Sequence, residues 1–362
     1  MKHIDEINFE NKIVMVRCDY NCPLNGDNKI EDDYRIKCSL DTLNKIISYS
    51  PKKLILMTHL GRPKKIEKEL STRIFLNYLE KFLKKKFLFL DKGLNSSYED
   101  ILNDSYYLME NVRFHDYEIN YVNQKINIIP DVYCNEAFSC SHRKHASIVG
   151  INSKEKCFGY SFLKEVDTLN SIINNNNLKI TAIIGGSKID DKIEMLKNLS
   201  KKVNYIYIAG NNINAYHEKK NFLDKISHNK SKILLMEDGF GNQDPSMEPI
   251  YIKSSINKDT KLKLFDIGPK SFNKLDECID NSDIIFWNGT LGIVEHEFYK
   301  NGSEFLVKIL NKFKGKVIIG GGDTACFVNK FKNNFYHILT GGGASIEYLG
   351  NGTLPGILHI NC

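Results

Sequence analysis

The sequence predicts an α/β protein with two domains, and three observations support this prediction. The chain has 362 residues, of which 42% are hydrophobic and 26% charged, enough for two domains with sizeable cores. Short β-branched runs alternate with amphipathic helical patterns along most of the chain. Several of the runs open into glycine-rich turns, which allow a tight change of direction between a strand and the next helix.

The first half of the chain contains five predicted strands and two predicted helices. The first helix is expected at Ile30 to Tyr49 and the second at Leu70 to Leu83. The strands are expected at Lys12 to Arg17, Lys53 to Thr58, Phe87 to Leu90, Tyr106 to Met109 and Asp131 to Cys134.

Polar and charged residues follow four of these strands directly, and ligands bind at the carboxyl ends of strands in open parallel sheets. Taken singly, each has an ordinary explanation as a helix cap or a structural histidine. Together they predict a cationic basin for a small anion with phosphate and carboxylate groups, which arginine binds in a bidentate manner. Only six of the 50 basic residues are arginines, and four of those six belong to this set. The residues predicted to form this basin are Asp19, Asn21, Arg35, His59, Arg62, Arg113, His142 and Arg143.

The second half repeats the strand and helix alternation. An amphipathic helix is expected at residues 160 to 173, and the polar run at 174 to 177 ends it, which places a domain boundary there. The later strands are expected at Ile180 to Ile184, Tyr205 to Ala209, Lys232 to Met236, Ile284 to Trp287, Lys316 to Ile319 and Tyr336 to Leu339.

Gly185 and Gly186 join the strand Ile180 to Ile184 to a helix that is expected to begin between residues 187 and 190. Lys188 lies at this helix start and Lys192 one turn later, where unpaired backbone N–H groups favour an anion such as phosphate. The alternative is a simple turn with a solvated lysine, because no G-x-x-x-x-G-K-[ST] motif occurs in the chain.

Further glycine-rich turns at IIGGGDTA, ILTGGGAS and WNGTLG strengthen the phosphate interpretation. Residues 320–325 also match the dinucleotide pattern G-x-G-x-x-A. That pattern lies late in the chain and lacks an acidic strand end about 20 residues further on, so a dehydrogenase is disfavoured.

Composition argues against several other classes of protein. No apolar run approaches the roughly 20 residues of a spanning helix and the first residues lack an apolar signal region, so we expect a cytoplasmic protein. The nine cysteines form no C-x-x-C motif and lie mostly in apolar surroundings, which favours reduced, buried thiols over disulfides or a metal site at Cys18 and Cys22. No basic run with interleaved aromatic residues indicates nucleic-acid binding.

A series of short motifs resembles that of the phosphoglycerate kinase family, in the family's order, from about residue 12 to residue 358. The motifs are VRCDYNCPL, DDYRI, THLGRP, ENVRFH, NEAFSCSHRKHAS, GGSKIDDKI, LFDIGP, WNGTLGIVE, IIGGGDTA and HILTGGGASIEYL with LPGI. The resemblance implies two lobes, each a parallel sheet with helices on both faces. It divides the chain into an acid-binding domain at 1–159, a hinge helix at 160–178, a nucleotide-binding domain at 179–345, and a final segment at 346–362 that returns to the first domain.

The resemblance also implies a reaction, in which a phosphoryl group moves between ATP and the carboxylate of 3-phosphoglycerate with Mg²⁺, in a monomeric enzyme that closes around its substrates. The phosphoglycerate would be held by Asp19, Asn21, Arg35, His59, Arg62, Arg113 and Arg143. The nucleotide would be held by Gly186, Lys188, Lys192, Asn288, Glu295, Gly321, Gly322, Asp323 and Thr324, with Asp323 on Mg²⁺. The catalytic groups would be Arg35, Lys188, Gly322 and Gly342.

The chain departs from the family pattern at a few places. AGNN at residues 209–212 replaces a run of glycines, the stretch to about residue 260 is short and poorly matched, and Thr290 replaces a proline. Glu136 replaces an aspartate, and SCS at residues 139–141 replaces GTA. These departures leave two alternatives open, a related carboxylate kinase acting on another acid such as glycerate, and a noncatalytic binding protein.

Overall fold

The structure is a computed structural model, and it describes residues 1–101, 105–121, 126–174, 177–186, 193–210, 232–253 and 261–361. The chain divides into two compact units, which are Met1–Val166 with Thr353–Cys362 (unit 1) and Asp167–Gly352 (unit 2). The division falls inside the helix Tyr160–Ile173. The assignment of that region as a hinge, and of 1–159 and 179–345 as domains, stays a prediction.

Unit 1 contains a six-stranded parallel sheet in the order β3-β4-β2-β1-β5-β6. Its central strands are apolar and buried on both faces, as is usual when a parallel sheet is covered by helices. The strands are Ile13–Arg17 (β1), Lys53–Met57 (β2), Phe87–Leu90 (β3), Tyr106–Met109 (β4), Val132–Asn135 (β5) and Glu155–Phe158 (β6).

The helices of unit 1 are mostly short. They are Tyr34–Cys38 (α1), Leu40–Ser48 (α2), Leu76–Leu83 (α3), Asp116–Ile119 (α4), Ala146–Val149 (α5), Tyr160–Ile173 (α6, which extends into unit 2) and, from the end of the chain, Pro355–Asn361. The final helix packs against α5 and β6, and its Gly356 N–H donates to the Ser141 carbonyl oxygen at 2.9 Å.

Unit 2 also contains a six-stranded parallel sheet, in the order β15-β14-β13-β7-β8-β9, and beside it a three-stranded antiparallel sheet in the order β11-β10-β12. Trp287, the only tryptophan, is fully buried in the central strand β13. The strands are Ile180–Ile184 (β7), Tyr205–Ile208 (β8), Lys232–Leu235 (β9), Asp238–Asn242 (β10), Ile250–Lys253 (β11), Lys263–Ile267 (β12), Ile284–Asn288 (β13), Lys316–Gly320 (β14) and His337–Ile338 (β15). The helices are Ile193–Leu199 (α7), Pro269–Asp280 (α8), Asn301–Leu310 (α9), Gly322–Val328 (α10) and Gly342–Asn351 (α11), and the final helix Pro355–Asn361 of unit 1 is α12.

The predicted α/β fold with two parallel sheets is confirmed by this architecture, and four expectations need correction. The helix expected at Ile30 to Tyr49 begins only at Tyr34 and is two helices that meet at Ser39. The Ser39 hydroxyl donates to the Ile36 carbonyl oxygen there, a local side-chain bond that competes with regular helix geometry. The first turn of the helix expected at Leu70 to Leu83 is a 3₁₀ turn. Strand β6 and the antiparallel sheet were not predicted, and Cys326 is exposed rather than buried.

No helix in the described part of the chain is long and apolar enough to cross a membrane.

Each parallel sheet has one point where the order of winding reverses, between β1 and β5 in unit 1 and between β7 and β13 in unit 2. Loops leave such a pair of strands in opposite directions, and the crevice between them is the usual ligand site of an open α/β sheet. The fold therefore directs attention to the residues that follow these four strands.

Candidate active site

The reversal point of unit 1 brings together the ends of three neighbouring strands. Asp19 follows β1, His59 follows β2 and Ser139 follows β5. The Asp19 carboxylate forms an ion pair with Arg35 and accepts a hydrogen bond from the Ser139 hydroxyl, and one of its oxygens lies 3.9 Å from His59 Nδ1. The structure thus brings Asp19, Arg35 and His59 into direct proximity at the predicted edge of the sheet.

Burial sets the charge states in this cluster. Burial alone would raise the pKa of Asp19, but the positive charge of Arg35, with hydrogen bonds from Ser139 and Asn21, lowers that pKa below its ordinary value. Burial, reinforced by the positive charge of Arg17, lowers the pKa of His59 well below its ordinary value. At neutral pH, Asp19 is therefore ionised and His59 is neutral, so their contact is not an ion pair.

Asn21 and Arg113 fix the loop that follows β2. The Asn21 side-chain oxygen accepts a hydrogen bond from the Gly61 N–H at 2.8 Å, and an Arg113 guanidinium N–H donates to the Gly61 carbonyl oxygen at 2.6 Å. Arg113 is 8% exposed, and its Nε is buried without a hydrogen-bond partner in the described residues. An unpaired buried donor on a guanidinium is consistent with a site for an anion.

Arg143 and His142 lie beside this group, whereas Arg62 does not contact it. Arg143 Nε donates to His142 Nε2 at 3.1 Å. The pKa of Arg113 is lowered by burial and also by the positive charge of Arg143. Burial is the main cause that lowers the pKa of His142 to about 4, and the positive charge of Arg143 is the second. This imidazole is therefore neutral at neutral pH. Arg62 is exposed, and no contact joins it to Asp19, Arg35 or His59 among the described residues.

Arg17 is a component of this site that the sequence reasoning did not select. It is fully buried, donates from Nε to the Ser147 hydroxyl at 2.7 Å, and places an NH2 group 3.2 Å from His59 Nδ1. Ser147 in turn donates to the buried Glu118 carboxylate, from its hydroxyl at 2.7 Å and from its N–H at 2.8 Å. The sequence feature that could have identified Arg17 is its position at the end of a buried apolar strand. A charge buried there without a partner would be costly in free energy, so a partner was to be expected.

In the described part of unit 2, the reversal point is built mainly from backbone groups of glycine-rich turns. The Gly185 N–H donates to the Asn288 carbonyl oxygen at 3.0 Å, and the Gly186 N–H donates to the Thr290 carbonyl oxygen at 2.8 Å. Gly185 has no room for a side chain, because a Cβ atom there would lie 2.1 Å from the Thr290 carbonyl oxygen. Gly186 has φ +92°, which disfavours other residues.

The turns after β14 and β15 join this group. A Cβ atom on Gly342 would lie 3.4 Å from the Gly321 Cα, so the starts of α10 and α11 are neighbours. The buried Thr324 hydroxyl accepts a hydrogen bond from the Gly289 N–H at 2.7 Å, which links the turn after β14 to the turn after β13. Open space surrounds Gly322, since a Cβ atom there would meet nothing within 4 Å. We call these four turns (185–186, 288–290, 320–322 and 341–342) the glycine turns.

Two exposed acidic residues flank the glycine turns. Asp323 is exposed in the first turn of α10, and Glu295 is exposed in the loop after β13. Asp323 forms no hydrogen bond or ion pair with the rest of the described chain, so its oxygens are available, and carboxylate oxygen is the ligand type that Mg²⁺ takes beside nucleotide phosphates. The residue present therefore fits the expected metal.

Several predicted residues lie outside the described part of the chain. These are Lys188 and Lys192, together with Asn211 and Asn212 of the AGNN departure and most of the poorly matched stretch that follows it. Their roles stay predictions from sequence. The described neighbours of the two lysines are Gly186 on one side and the start of α7 at Ile193 on the other.

Comparisons with known proteins agree with the motif series. A sequence model of the family described as phosphoglycerate kinase matches residues 4–352. The phosphoglycerate kinase of Helicobacter pylori is 34% identical over 98% of this chain and 95% of its own length, and that of Orientia tsutsugamushi is 33% identical over 99% and 96%.

Solved structures point the same way. The phosphoglycerate kinase of Coxiella burnetii matches with a TM-score of 0.81 and 27% identity, covering 99% of this chain and 98% of that one. The phosphoglycerate kinase structure from Pyrococcus horikoshii matches with a TM-score of 0.82 and covers 100% of this chain and 98% of that one. At 23% identity it supports the fold alone. The predicted resemblance is confirmed, and this chain belongs to the phosphoglycerate kinase family.

Proposed function

We propose that this protein transfers a phosphoryl group between ATP and the carboxylate of 3-phosphoglycerate, so that 1,3-bisphosphoglycerate and ADP are in equilibrium with 3-phosphoglycerate and ATP. The observation that carries this proposal is the cationic basin at the reversal point of unit 1. Arg35 is held there by Asp19, and Arg113 keeps a buried donor unpaired. Family membership supports the same reaction.

In this proposal the acid substrate is held by side chains of unit 1. Arg35, Arg62, Arg113 and Arg143 bind its phosphate and carboxylate oxygens, because guanidinium groups match both anions in a bidentate manner. His59 is neutral and donates one hydrogen bond without adding a charge. Asp19 and Asn21 orient Arg35 and the loop at Gly61, and they accept hydrogen bonds from hydroxyl groups of the substrate.

The nucleotide is held by the glycine turns of unit 2 and their neighbours. Backbone N–H groups at Gly321 and Gly322 accommodate phosphate oxygens. Gly186, whose own N–H is bonded to Thr290, lets the phosphates approach the chain closely because it carries no side chain. Lys188, Lys192 and Thr324 contact the phosphates, while Asn288 and Glu295 contact the nucleoside. Asp323 would hold Mg²⁺, which would neutralise charge on the nucleotide phosphates.

The chemistry needs no general base, because a carboxylate acceptor is already ionised. The protein therefore contributes positioning for a direct in-line transfer and positive charge around the three equatorial oxygens. Arg35, Lys188, Gly322 and Gly342 are the proposed catalytic groups. Removal of one such preorganised donor lowers turnover by about 10²–10³-fold in other enzymes.

The same proposal places the protein in central carbon metabolism as a cytoplasmic monomer. It requires small-molecule partners only, namely a phosphorylated carboxylic acid and an adenine nucleotide with Mg²⁺.

A coupled assay of ADP formation from ATP and Mg²⁺ tests the proposal, run with 3-phosphoglycerate, glycerate and a panel of other carboxylic acids. We expect kcat/KM with 3-phosphoglycerate to reach at least about 10⁴ M⁻¹s⁻¹ and to exceed that with every other acid. A higher value with another acid would reassign the acceptor, and no turnover with any acid would contradict a kinase.

A further inference from the structure

The reversal point of unit 1 contains three metal-ligand atoms of different chemical types. His59 Nδ1 lies 3.9 Å from an Asp19 carboxylate oxygen and 3.9 Å from Cys140 Sγ, and the ligand atoms of all three residues lie within 4.8 Å of one another. Within the described part of the chain, no other set of three histidine, cysteine or acidic residues has ligand atoms this close. Neither Cys18 nor Cys22 belongs to the set.

We propose that Asp19, His59 and Cys140 form a site for a thiophilic divalent cation such as Zn²⁺, and that this cation and the acid substrate exclude each other. The first part is independent of the proposed function. The second part rests on it, because it assumes that the acid substrate binds at Arg35 and Asp19.

The spacing of the three atoms is close to that of a tetrahedral site. Zinc bonds of about 2.0–2.3 Å to nitrogen, oxygen and sulfur place neighbouring ligand atoms roughly 3.3–3.6 Å apart. The two 3.9 Å distances from His59 would have to contract by a few tenths of an ångström, and the Asp19 to Cys140 distance, which is within 4.8 Å, by about 1.3 Å at most. Each ligand lies shortly after a different buried strand, so the backbone that carries it is firmly held.

The type and burial of the donors select the metal. A thiolate and an imidazole favour Zn²⁺ and similar soft cations over Mg²⁺ or Ca²⁺, which prefer oxygen ligands. His59 is 3% exposed and Cys140 is 4% exposed, so little water competes for the site. Three protein ligands leave one of four tetrahedral positions for water or another small ligand.

Three arginines, Arg17, Arg35 and Arg113, oppose the cation, and each already has a partner, which for Arg113 is the Gly61 carbonyl oxygen. Arg17 is linked through Ser147 to the Glu118 carboxylate, and Arg35 is paired with Asp19. Metal binding requires that Arg17 release His59 Nδ1 and that Cys140 lose its proton to solvent, so one proton is released for each ion bound. In the proposed function the acid substrate needs Arg35 and Arg113 directed at its own oxygens, which is why both ligands cannot occupy the site.

Titration of the full-length protein with Co²⁺, without nucleotide or acid, tests the site directly. We expect one equivalent to bind, with a thiolate-to-cobalt charge-transfer band, and Zn²⁺ to abolish the band. Cys140→Ala should lose the band, whereas Cys326→Ala, which removes an exposed thiol in unit 2, should keep it. Absence of the band in the unmodified protein, or its persistence in Cys140→Ala with unchanged circular dichroism, would overturn the proposal.

Competition tests the second part. Saturating 3-phosphoglycerate should raise the apparent dissociation constant for Zn²⁺ by at least about 10-fold, and glycerol at the same concentration should not change it. If the cation binds through Cys140 and 3-phosphoglycerate leaves its affinity unchanged, mutual exclusion is wrong. That result would not affect the kinase assay, which is read without added Zn²⁺, so failure of the metal proposal and failure of the proposed function are distinguishable.

Discussion

The two reversal points differ in what they present to a ligand. In unit 1, buried side chains supply the chemistry, and His59 contacts both Arg17 and Asp19 at the ends of β1 and β2. In the described part of unit 2, the ligand meets backbone, because Gly185 and Gly186 carry no side chain and bond to the carbonyl oxygens of Asn288 and Thr290. The same position in two similar sheets therefore carries two different kinds of recognition.

This difference has a physical reason in the proposed ligands. A small acid with two kinds of anionic group is distinguished by the positions of a few guanidinium and imidazole groups, which side chains can set individually. A polyphosphate chain is long and repetitive, and several backbone N–H groups can approach it closely where no Cβ atom intervenes. Substitutions should consequently act through charge at the cluster of unit 1 and through steric fit at the glycine turns of unit 2.

The largest expected effect is that of Arg35→Ala in unit 1. We expect turnover to fall by at least about 10²-fold, because the variant removes a positive charge that Asp19 holds in place. Arg73→Ala is the matched control, since Arg73 pairs with Asp91 on the surface of the same unit and such a pair contributes little to stability. Steady-state kinetics with 3-phosphoglycerate measures both, and near-normal turnover in Arg35→Ala would contradict the assignment.

Gly185→Ala tests the steric side of the comparison. The new methyl group would lie 2.1 Å from the Thr290 carbonyl oxygen, so we expect a loss of about 1–3 kcal/mol in the free energy of unfolding, and a higher KM for ATP. Gly322→Ala has open space around the new methyl group, and its stability should be unchanged or slightly higher. Urea denaturation compares the two, and equal destabilisation would show that packing at Gly185 is not the cause.

Glu118→Gln tests whether the buried network behind His59 positions Arg17. The variant keeps the shape of the side chain but removes the negative charge that balances Arg17 through Ser147. We expect KM for 3-phosphoglycerate to rise by roughly 10-fold, the scale of one hydrogen bond to a charged group, while KM for ATP stays within about 2-fold. An equal rise in both constants would indicate general destabilisation instead.

The last prediction concerns the dependence of stability on pH. Glu136 accepts hydrogen bonds from Thr42 and Ser161, but burial dominates and raises its pKa from the ordinary 4.5 to about 8. The folded protein therefore holds this proton more tightly than the unfolded chain does. The stability that Glu136 contributes is complete below about pH 4.5 and is lost as the pH rises to about 8.

Glu136→Gln should remove this part of the pH dependence. Urea unfolding midpoints measured between about pH 5 and 9 should fall less steeply with pH in the variant than in the parent protein. Identical slopes would mean that Glu136 is ionised in the folded state. Asp266 offers the same test in unit 2, because burial raises its pKa to about 7.

Much of the fold was predictable from local pattern. Strands Phe87–Leu90, Tyr106–Met109 and Ile180–Ile184 and helix Tyr160–Ile173 have the bounds expected from their apolar periodicity. Strand β6 and the antiparallel strands β10 to β12 were not predicted. Their sequences contain glycine, lysine or alternating polar residues, and such strands are defined by their partners rather than by their own composition.

The sequence by itself determined the α/β class, the family and the residue types available for anion binding, because periodicity and motif order are properties of the chain alone. Only the tertiary structure decided that Arg17, Glu118 and Cys140 share a site with Asp19 and His59. In that structure Arg62 is exposed, and no hydrogen bond or ion pair joins it to Asp19, Arg35 or His59 among the described residues. The physical reason is that strand order and side-chain burial, which set these contacts and the resulting pKa shifts, depend on residues more than a hundred positions apart.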